Sequence, residues 1–181
     1  MRRWPRRPPE QPVSSEYKQV KDQAYARLAV VTDEYFVSNT LGFLADDLRD
    51  DDRFADLTDA ERTAVLPWVM DGLIRSDGFQ GWIEALGQRS AETVTALQDL
   101  GANVHAAIVE EALRLFPTAA SDDPGGRLAA VNNWSTEDVD RWRELEGRYI
   151  ALACDDDLAD NYIAPYIQAR PDDFPQTIDQ L

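Results

Sequence analysis

The chain contains one cysteine, Cys154, and one histidine, His105, among its 181 residues. A single cysteine excludes an internal disulfide and any metal site built from several cysteines. A single histidine excludes nearly every histidine-based metal cage and leaves little material for a catalytic triad. We therefore expect no cofactor, no bound metal and no enzymatic activity. His105 is expected to be a half-exposed imidazole near a helix cap, and Cys154 a small packed thiol at a helix end.

Basic residues and long apolar runs are also scarce. The 18 Lys and Arg residues face 34 Asp and Glu residues, which gives a formal net charge of -16. This charge argues against direct binding of nucleic acid, because the phosphate backbone repels it, and against docking on an anionic membrane. No run approaches the length of a membrane span, and residues 1–9 lack the apolar region of a secretory signal. We therefore expect a cytoplasmic protein of bacterial type with no membrane partner.

The length suggests a single domain, and hydrophobic residues make up 44% of the chain, which is enough for a core. Four prolines between Pro5 and Pro12 predict that residues 1–15 form a flexible basic arm, followed by an acidic helical domain over residues 16–181. Residues 1–22 carry a net +3, so the rest of the chain carries -19. Two interpretations of the arm stay open: a contact for an acidic partner, such as the protein's own body, or a solvated leader without a role.

The apolar spacing predicts helices nearly throughout and no strand. The sequence Thr58-Asp59-Ala60-Glu61 is a capping box, which predicts a helix from there to about Arg75, kinked or staggered by Pro67. Further helical segments are predicted over 16–37, 40–49, 79–86, 90–101, 103–116, 135–152 and 156–170. A turn is predicted at residues 76–78, and Ser90 and Asn103 are predicted to cap their helices. The fold class is therefore all-α, a single compact domain of about seven helices. We expect the largest side chains of the apolar stripes to be buried: Phe79, Trp82, Leu97, Leu100, Leu113, Trp142, Leu145 and Tyr149.

Two stretches carry most of the negative charge. Residues 46–61 hold eight acids and two arginines, and residues 155–181 hold seven acids and one arginine, so each has a net charge of -6. In residues 137–148, by contrast, Glu137 with Arg141 and Glu144 with Arg148 form i,i+4 pairs that largely neutralise a helix. Like charges at i,i+4, as in Asp46 and Asp50, are not favoured by stability alone. We predict an acidic protein-binding surface made of Asp46, Asp47, Asp50, Asp51, Asp52, Asp56, Asp59, Asp155, Asp156, Asp157 and Asp160.

The pattern D-D-x-x-D occurs twice, at residues 46–50 and 156–160. Such pairs resemble the magnesium–diphosphate sites of all-helical isoprenoid synthases, since carboxylates at i and i+4 can share hard cations. The surrounding residues argue against this chemistry. Both stretches have almost no basic residues to hold a diphosphate, and the chain is short for a fold with a large apolar cavity. A small helical metal-dependent enzyme is therefore the disfavoured alternative.

Residues 76–82 (Ser-Asp-Gly-Phe-Gln-Gly-Trp) resemble the Asn-Gly-Gly-Phe-x-x-aromatic signature of a family of small acidic bacterial proteins. That family was formerly a domain of unknown function and includes a DNA mimic. Residues 96–102 (Ala-Leu-Gln-Asp-Leu-Gly-Ala) are similar to a second segment of it, and the similarity extends over about 60–174. The chain departs from the signature at Asp77, where the family favours glycine. The resemblance implies a helical body and suggests a homodimer, and both segments are expected to serve packing and turns.

Three functions remain open on these grounds. The first is a non-enzymatic DNA mimic that occupies the basic surface of a DNA-binding protein. The second is an immunity-type inhibitor of a basic toxin or nuclease. The third is the small metal-dependent enzyme. The first two require a basic protein partner, whereas the third requires a cation.

Overall fold

The computed structural model describes residues 51–170 and 172–174, together with Val37, Leu41, Gly42, Leu44, Ala45 and Leu48. Its α-helices are α1 (Asp51–Asp56), α2 (Asp59–Leu86), α3 (Ser90–Asp99), α4 (Asn103–Leu115), α5 (Pro124–Arg127), α6 (Thr136–Asp155) and α7 (Ala164–Gln168). Short 3-10 turns cover Gly87–Arg89 and Ala129–Asn133, and a π-turn covers Ala159–Ile163. The described residues contain no strand, which confirms the all-α fold class. The predicted arm and most of the predicted helices at 16–37 and 40–49 lie outside the described residues.

The long helix α2 starts at the predicted capping box. The Thr58 hydroxyl accepts from the Glu61 main-chain N–H, and the Glu61 carboxylate accepts from the Thr58 N–H at 2.8 Å. The helix runs through the buried Pro67, and its one non-helical residue is Gly78, at φ 71° and ψ -177°. The turn predicted at residues 76–78 is therefore a one-residue kink within α2. The Glu146 carboxylate of α6 accepts the Phe79 N–H at this kink, at 3.2 Å.

The connection from α3 to α4 depends on Gly101. Gly101 has φ 81°, and the N–H groups of Gly101 and Ala102 donate to the carbonyls of Gln98 and Leu97. These two bonds form a Schellman motif, which ends α3 as predicted. The predicted caps are wrong by one residue, because Ser90 and Asn103 are the first helical residues of α3 and α4 and their side chains make no cap bond.

The helix α6 also starts at a capping box. The Ser135 hydroxyl accepts from the Asp138 N–H, and the Asp138 carboxylate accepts from the Ser135 N–H at 2.8 Å. The final helix predicted at 156–170 is instead the π-turn followed by α7, with Pro165 in the first turn of α7. We refer to residues 156–170 as the C-terminal segment. No helix in the described part of the chain is both long and apolar enough to cross a membrane.

The core is formed where α2, α3, α4 and α6 pack together. At its centre Phe79 meets Trp142 and Tyr149 edge to face, with ring centroids 5.7 and 5.5 Å apart. Six of the eight residues predicted to be buried are buried, and Leu100 and Leu113 are partly buried against the same core. Gly78 and Phe79 thus serve a kink and a core anchor, as the resemblance implied.

Candidate protein-binding surface

A cleft of about 570 Å³ lies between the start of α2, the helix α3 and the end of the C-terminal segment. Four acidic residues line it: Asp59, Glu92, Asp99 and Asp173. We call these four residues and the space between them the acidic cleft. Asp59 belongs to the acidic stretch at 46–61 and Asp173 to the one at 155–181. The fold therefore brings parts of both stretches to one place, although they are far apart in the sequence.

The acids of the cleft face solvent. The Asp59 side chain is fully exposed, Asp99 and Asp173 are exposed, and Glu92 is half-buried. Asp59 lies 3.8 Å from Arg62 and Glu92 lies 4.0 Å from Arg89, both at the outer limit of an ion pair. The exposed carboxylate of Asp59 gains very little stability from a pair of this length. The carboxylates of Asp59, Asp99 and Asp173 are consequently accessible to a partner from outside, whereas Glu92 is partly covered and engaged within the protein.

The arginines that border the cleft are held by the protein itself. Arg62 donates to the main-chain oxygens of Phe54 and Ala55, and its guanidinium lies 4.8 Å from the centre of the Phe54 ring. Arg170 stacks on the Tyr166 ring at 3.8 Å. Their donors and faces are partly used by these contacts, so they offset the negative charge without offering a free basic surface.

The same distribution extends over the rest of the described body. Residues 51–174 contain ten arginines, 25 acidic residues and no lysine, a difference of -15. Arg127 is buried and donates to the carbonyls of Ser121 and Glu84, both at 2.7 Å. Arg75 bonds Asp71 and Asp157. The cations are thus largely used to connect elements, while most acids face water.

The ion pairs of α6 differ in part from the prediction. Glu144 and Arg148 approach to 3.8 Å as predicted, but Arg141 pairs with Glu144 at 2.9 Å and with Glu111 of α4. Arg148 also reaches Glu111, at 3.1 Å. The pattern along one helix could not include Glu111, because that residue arrives by packing of α4 against α6. The arginines of α6 therefore join two helices as well as neutralising one.

The predicted surface residues fall into three groups. Asp46, Asp47 and Asp50 lie outside the described residues, and for Asp51 only the main chain is described. Asp52, Asp59, Asp155 and Asp160 are exposed, and Asp56 is half-buried. The last two, Asp156 and Asp157, are half-buried and hydrogen-bonded inside the protein.

Asp156 and Asp157 organise the turn after α6. Asp156 accepts from the Tyr162 hydroxyl at 2.6 Å and from the Asn161 amide at 2.9 Å, and these bonds lower its pKa. Asp157 accepts from Arg75 and from the N–H groups of Ala159 and Asp160. Both carboxylates are therefore engaged in hydrogen bonds within the protein. In the D-D-x-x-D pattern at 156–160, Asp156 and Asp157 hold the turn after α6. Within the described residues no cluster of three or more potential ligands is placed to hold a metal ion.

Two expectations about single residues are wrong. His105 is fully buried, rather than half-exposed, because Tyr149 of α6 and Tyr162 of the C-terminal segment cover it. Cys154 is exposed rather than packed, and it lines a shallow groove between α6 and the kink of α2. In each case the helix position was predicted, but the packing of a distant element decided the exposure.

Three members of the acidic cleft were missed as site residues: Glu92, Asp99 and Asp173. Glu92 and Asp99 are single acids on α3, seven positions apart and therefore on one face of the helix. Asp173 was counted with its acidic stretch but not assigned to the surface. The seven-residue spacing on α3 was the available signal, and it became meaningful only once α3 was placed beside Asp59.

The body is all-helical, most of its acids face water, and most of its arginines bond other groups of the protein. These features place it in the class of small acidic all-α proteins. A comparison with protein families identifies it further. Residues 55–170, which are more than half of the chain, match the model of the DMP19-like proteins, and the chain therefore belongs to the DMP19-like protein family. Comparison with curated proteins and with solved structures gives no match.

Proposed function

We propose that this protein is a non-enzymatic DNA mimic, whose carboxylates take the place of phosphates on the basic surface of a DNA-binding protein. Membership of the DMP19-like family is compatible with this function. The observation that carries the proposal is the acidic cleft, where exposed acids from both acidic stretches meet beside arginines that are held by the protein. The partner is a protein rich in Lys and Arg, and DNA competes with this protein for it.

Clustering matters more than the total charge. Duplex DNA carries about one charge per 1.7 Å of its axis, a density that acids spread evenly over this protein would not approach. The acidic cleft and the α1 acids Asp52 and Asp56, which directly precede α2, concentrate negative charge at the start of α2. A concentrated field steers a basic partner, so we expect the association rate to fall steeply as salt rises.

The test begins with a partner captured from lysate at low salt and identified. Two variants then remove charge from the proposed surface. One replaces Asp46, Asp47, Asp50, Asp51 and Asp52 with Asn, and the other combines Asp59→Asn, Glu92→Gln, Asp99→Asn and Asp173→Asn. A matched control removes four exposed charges elsewhere: Glu84→Gln, Asp122→Asn, Glu137→Gln and Asp140→Asn. Association rates are measured over a range of salt concentrations, with and without competing duplex DNA.

We expect both surface variants to reduce the association rate and to flatten its salt dependence, and the control to do much less. DNA should compete with the wild-type protein for the partner. The proposal is contradicted if the affinity for the partner does not change with salt concentration and is the same for both surface variants as for the wild type. A captured partner that is a basic toxin, bound through the same acids but not displaced by DNA, identifies the immunity-type function instead.

A further inference from the structure

His105 is enclosed by aromatic rings from two other elements. It is the third residue of α4 and is fully buried. Its ring lies edge to face against Tyr149, at 5.9 Å, and against Tyr162, at 5.8 Å. Neither ring nitrogen has a hydrogen-bond partner of good geometry among the described residues. A buried polar side chain without partners is uncommon, since each unmade bond costs free energy.

The charged groups around the ring are engaged with other partners. From α2, Asp71 accepts from the Tyr149 hydroxyl at 2.9 Å and from Arg75 at 2.7 Å. At the end of α6, Asp156 accepts from the Tyr162 hydroxyl at 2.6 Å. A neutral imidazole fits this arrangement. An imidazolium carries an N–H on each of its two ring nitrogens, which point in opposite directions. The carboxylates of Asp71 and Asp156 already accept other hydrogen bonds, and the main-chain oxygen of Asp156 can serve one of the two N–H groups at most.

Burial is the largest influence on the ring and lowers the pKa of His105 below its ordinary value. The charge of Arg75 acts in the same direction, while the charges of Asp156 and Asp71 and the main-chain oxygen of Asp156 oppose it. Because the folded protein takes up this proton less readily than the unfolded chain, the His105 contribution to stability is constant at high pH. It decreases as the pH falls below the unfolded value of about 6.5, and it levels off below the folded pKa.

We propose that His105 is a proton-sensitive latch for the C-terminal segment: protonation of its ring favours states in which residues 156–170 detach from α2 and from the His105 ring of α4. Tyr162 of this segment covers the ring, whereas Tyr149 lies on α6, which is fixed by the central core. The segment is the outermost cover, so its opening admits water to the ring without unpacking α2, α4 and α6. The buried side chains Leu158, Ile163 and Ile167 oppose the opening, which keeps the latch closed at neutral pH.

A proton titration of the folded protein by NMR gives the first test. Because His105 is the only histidine, its ring signals are unambiguous. We expect a pKa below 6.5 in the full-length wild-type protein. A value at or above 6.5 would mean that the site accommodates the charge, and it would overturn the proposal.

Amide hydrogen exchange gives the second test, on the full chain at pH 7.5 and pH 5.5, with rates corrected for intrinsic pH dependence. One proton with an unfolded pKa of about 6.5 can increase opening by up to about tenfold over this interval. We expect an increase approaching that limit in residues 158–167 and little change in α3, which serves as the internal reference.

Two variants show whether His105 is responsible. His105→Phe keeps an aromatic ring without a titratable group, and His105→Gln keeps a neutral polar side chain should the larger ring disturb packing. Each is expected to remove the excess opening at pH 5.5. The proposal is overturned if the C-terminal segment opens equally in these variants, or if the wild-type segment shows no more opening than α3.

Discussion

Gly78 determines the course of the longest helix. Its φ of 71° and ψ of -177° belong to a region that side-chain-bearing residues rarely enter, and an added Cβ would collide with the Glu146 carboxylate. We expect Gly78→Ala to lower the free energy of unfolding by about 1–3 kcal/mol, measured by urea denaturation. The matched control is Gly72→Ala on the same helix. There a Cβ meets nothing within 4 Å, and alanine should be neutral or stabilising by up to about 1 kcal/mol.

If Gly78→Ala proves as harmless as Gly72→Ala, the kink in α2 is not required by the fold. The signature at residues 76–82 would then not be explained by the backbone conformation at Gly78. If only Gly78→Ala lowers the free energy of unfolding, the glycine of the signature is required by the positive φ at the kink.

His105 and Cys154 show where prediction from single residues fails. Both positions on their helices were identified from the sequence, but burial depends on what lies across from them. Tyr149 and Tyr162 are 44 and 57 positions away from His105, so no local pattern reports that they enclose it. For Cys154 the reverse holds, because it borders a groove whose other wall includes Gly78 at the kink of α2.

The capping box of α6 gives a prediction at the level of an element. Hydrogen bonds from the Ser135 N–H and hydroxyl hold the pKa of Asp138 below its usual range. A carboxylate with a lowered folded pKa stabilises the protein above its unfolded pKa of about 3.9, and this contribution is lost as the pH falls through the folded value. We expect Asp138→Asn to have a lower melting temperature than the wild type at pH 6. The difference between the two melting temperatures should become smaller as the pH is lowered toward 2.

Ser135→Ala serves as the companion variant, because it removes the hydroxyl that caps the Asp138 N–H. Loss of an N-cap costs about 0.5–2 kcal/mol, and we expect that range at pH 6 from thermal or urea unfolding. A difference between Asp138→Asn and wild type that stays constant from pH 6 to pH 2 would disprove the role assigned to the Asp138 charge.

The elements that could be predicted are those whose signals are local. Both capping boxes, at Thr58 and Ser135, start helices where the sequence placed them, because all the groups involved lie within four residues. The starts of α3 and α4 were placed one residue too late, since Ser90 and Asn103 were assigned as caps but are the first helical residues and make no cap bond. The C-terminal segment was predicted as one helix, but Asp156 and Asp157 begin a π-turn there through contacts with Tyr162 and Arg75.

At the scale of the whole molecule, the engagement of Asp156 and Asp157 predicts how the protein responds to magnesium. A net charge of -16 repels itself, so any salt should raise the melting temperature modestly by screening. We expect low millimolar magnesium chloride and sodium chloride at the same ionic strength to change the melting temperature by the same amount. The measurement is a thermal melt over a titration of each salt.

A saturable effect of magnesium would contradict this expectation, because stabilisation by a specific ligand follows its dissociation constant. Loss of that effect in Asp156→Asn would place the ion at residues 156–160 and restore the enzyme hypothesis. The control variant is Asp140→Asn, an exposed acid on α6 outside the D-D-x-x-D pattern.

The acidic cleft could be predicted only in part. The two acidic stretches were visible in the sequence, since charge is a property of composition. Their meeting at Asp59 and Asp173, with Glu92 and Asp99 between them, requires the packing of α3 and the C-terminal segment against the start of α2. Such contacts join residues more than a hundred positions apart, and no periodicity along the chain records them.

The absence of lysine from residues 51–174 has a practical consequence. The two lysines of the chain are Lys18 and Lys21, so a protease that cleaves after lysine should leave the helical body in one piece. Reagents that couple to amines should likewise attach only near the start of the chain. A protein immobilised in this way is attached outside its helical body, so the carboxylates of that body stay unmodified for surface-based measurements of a basic partner.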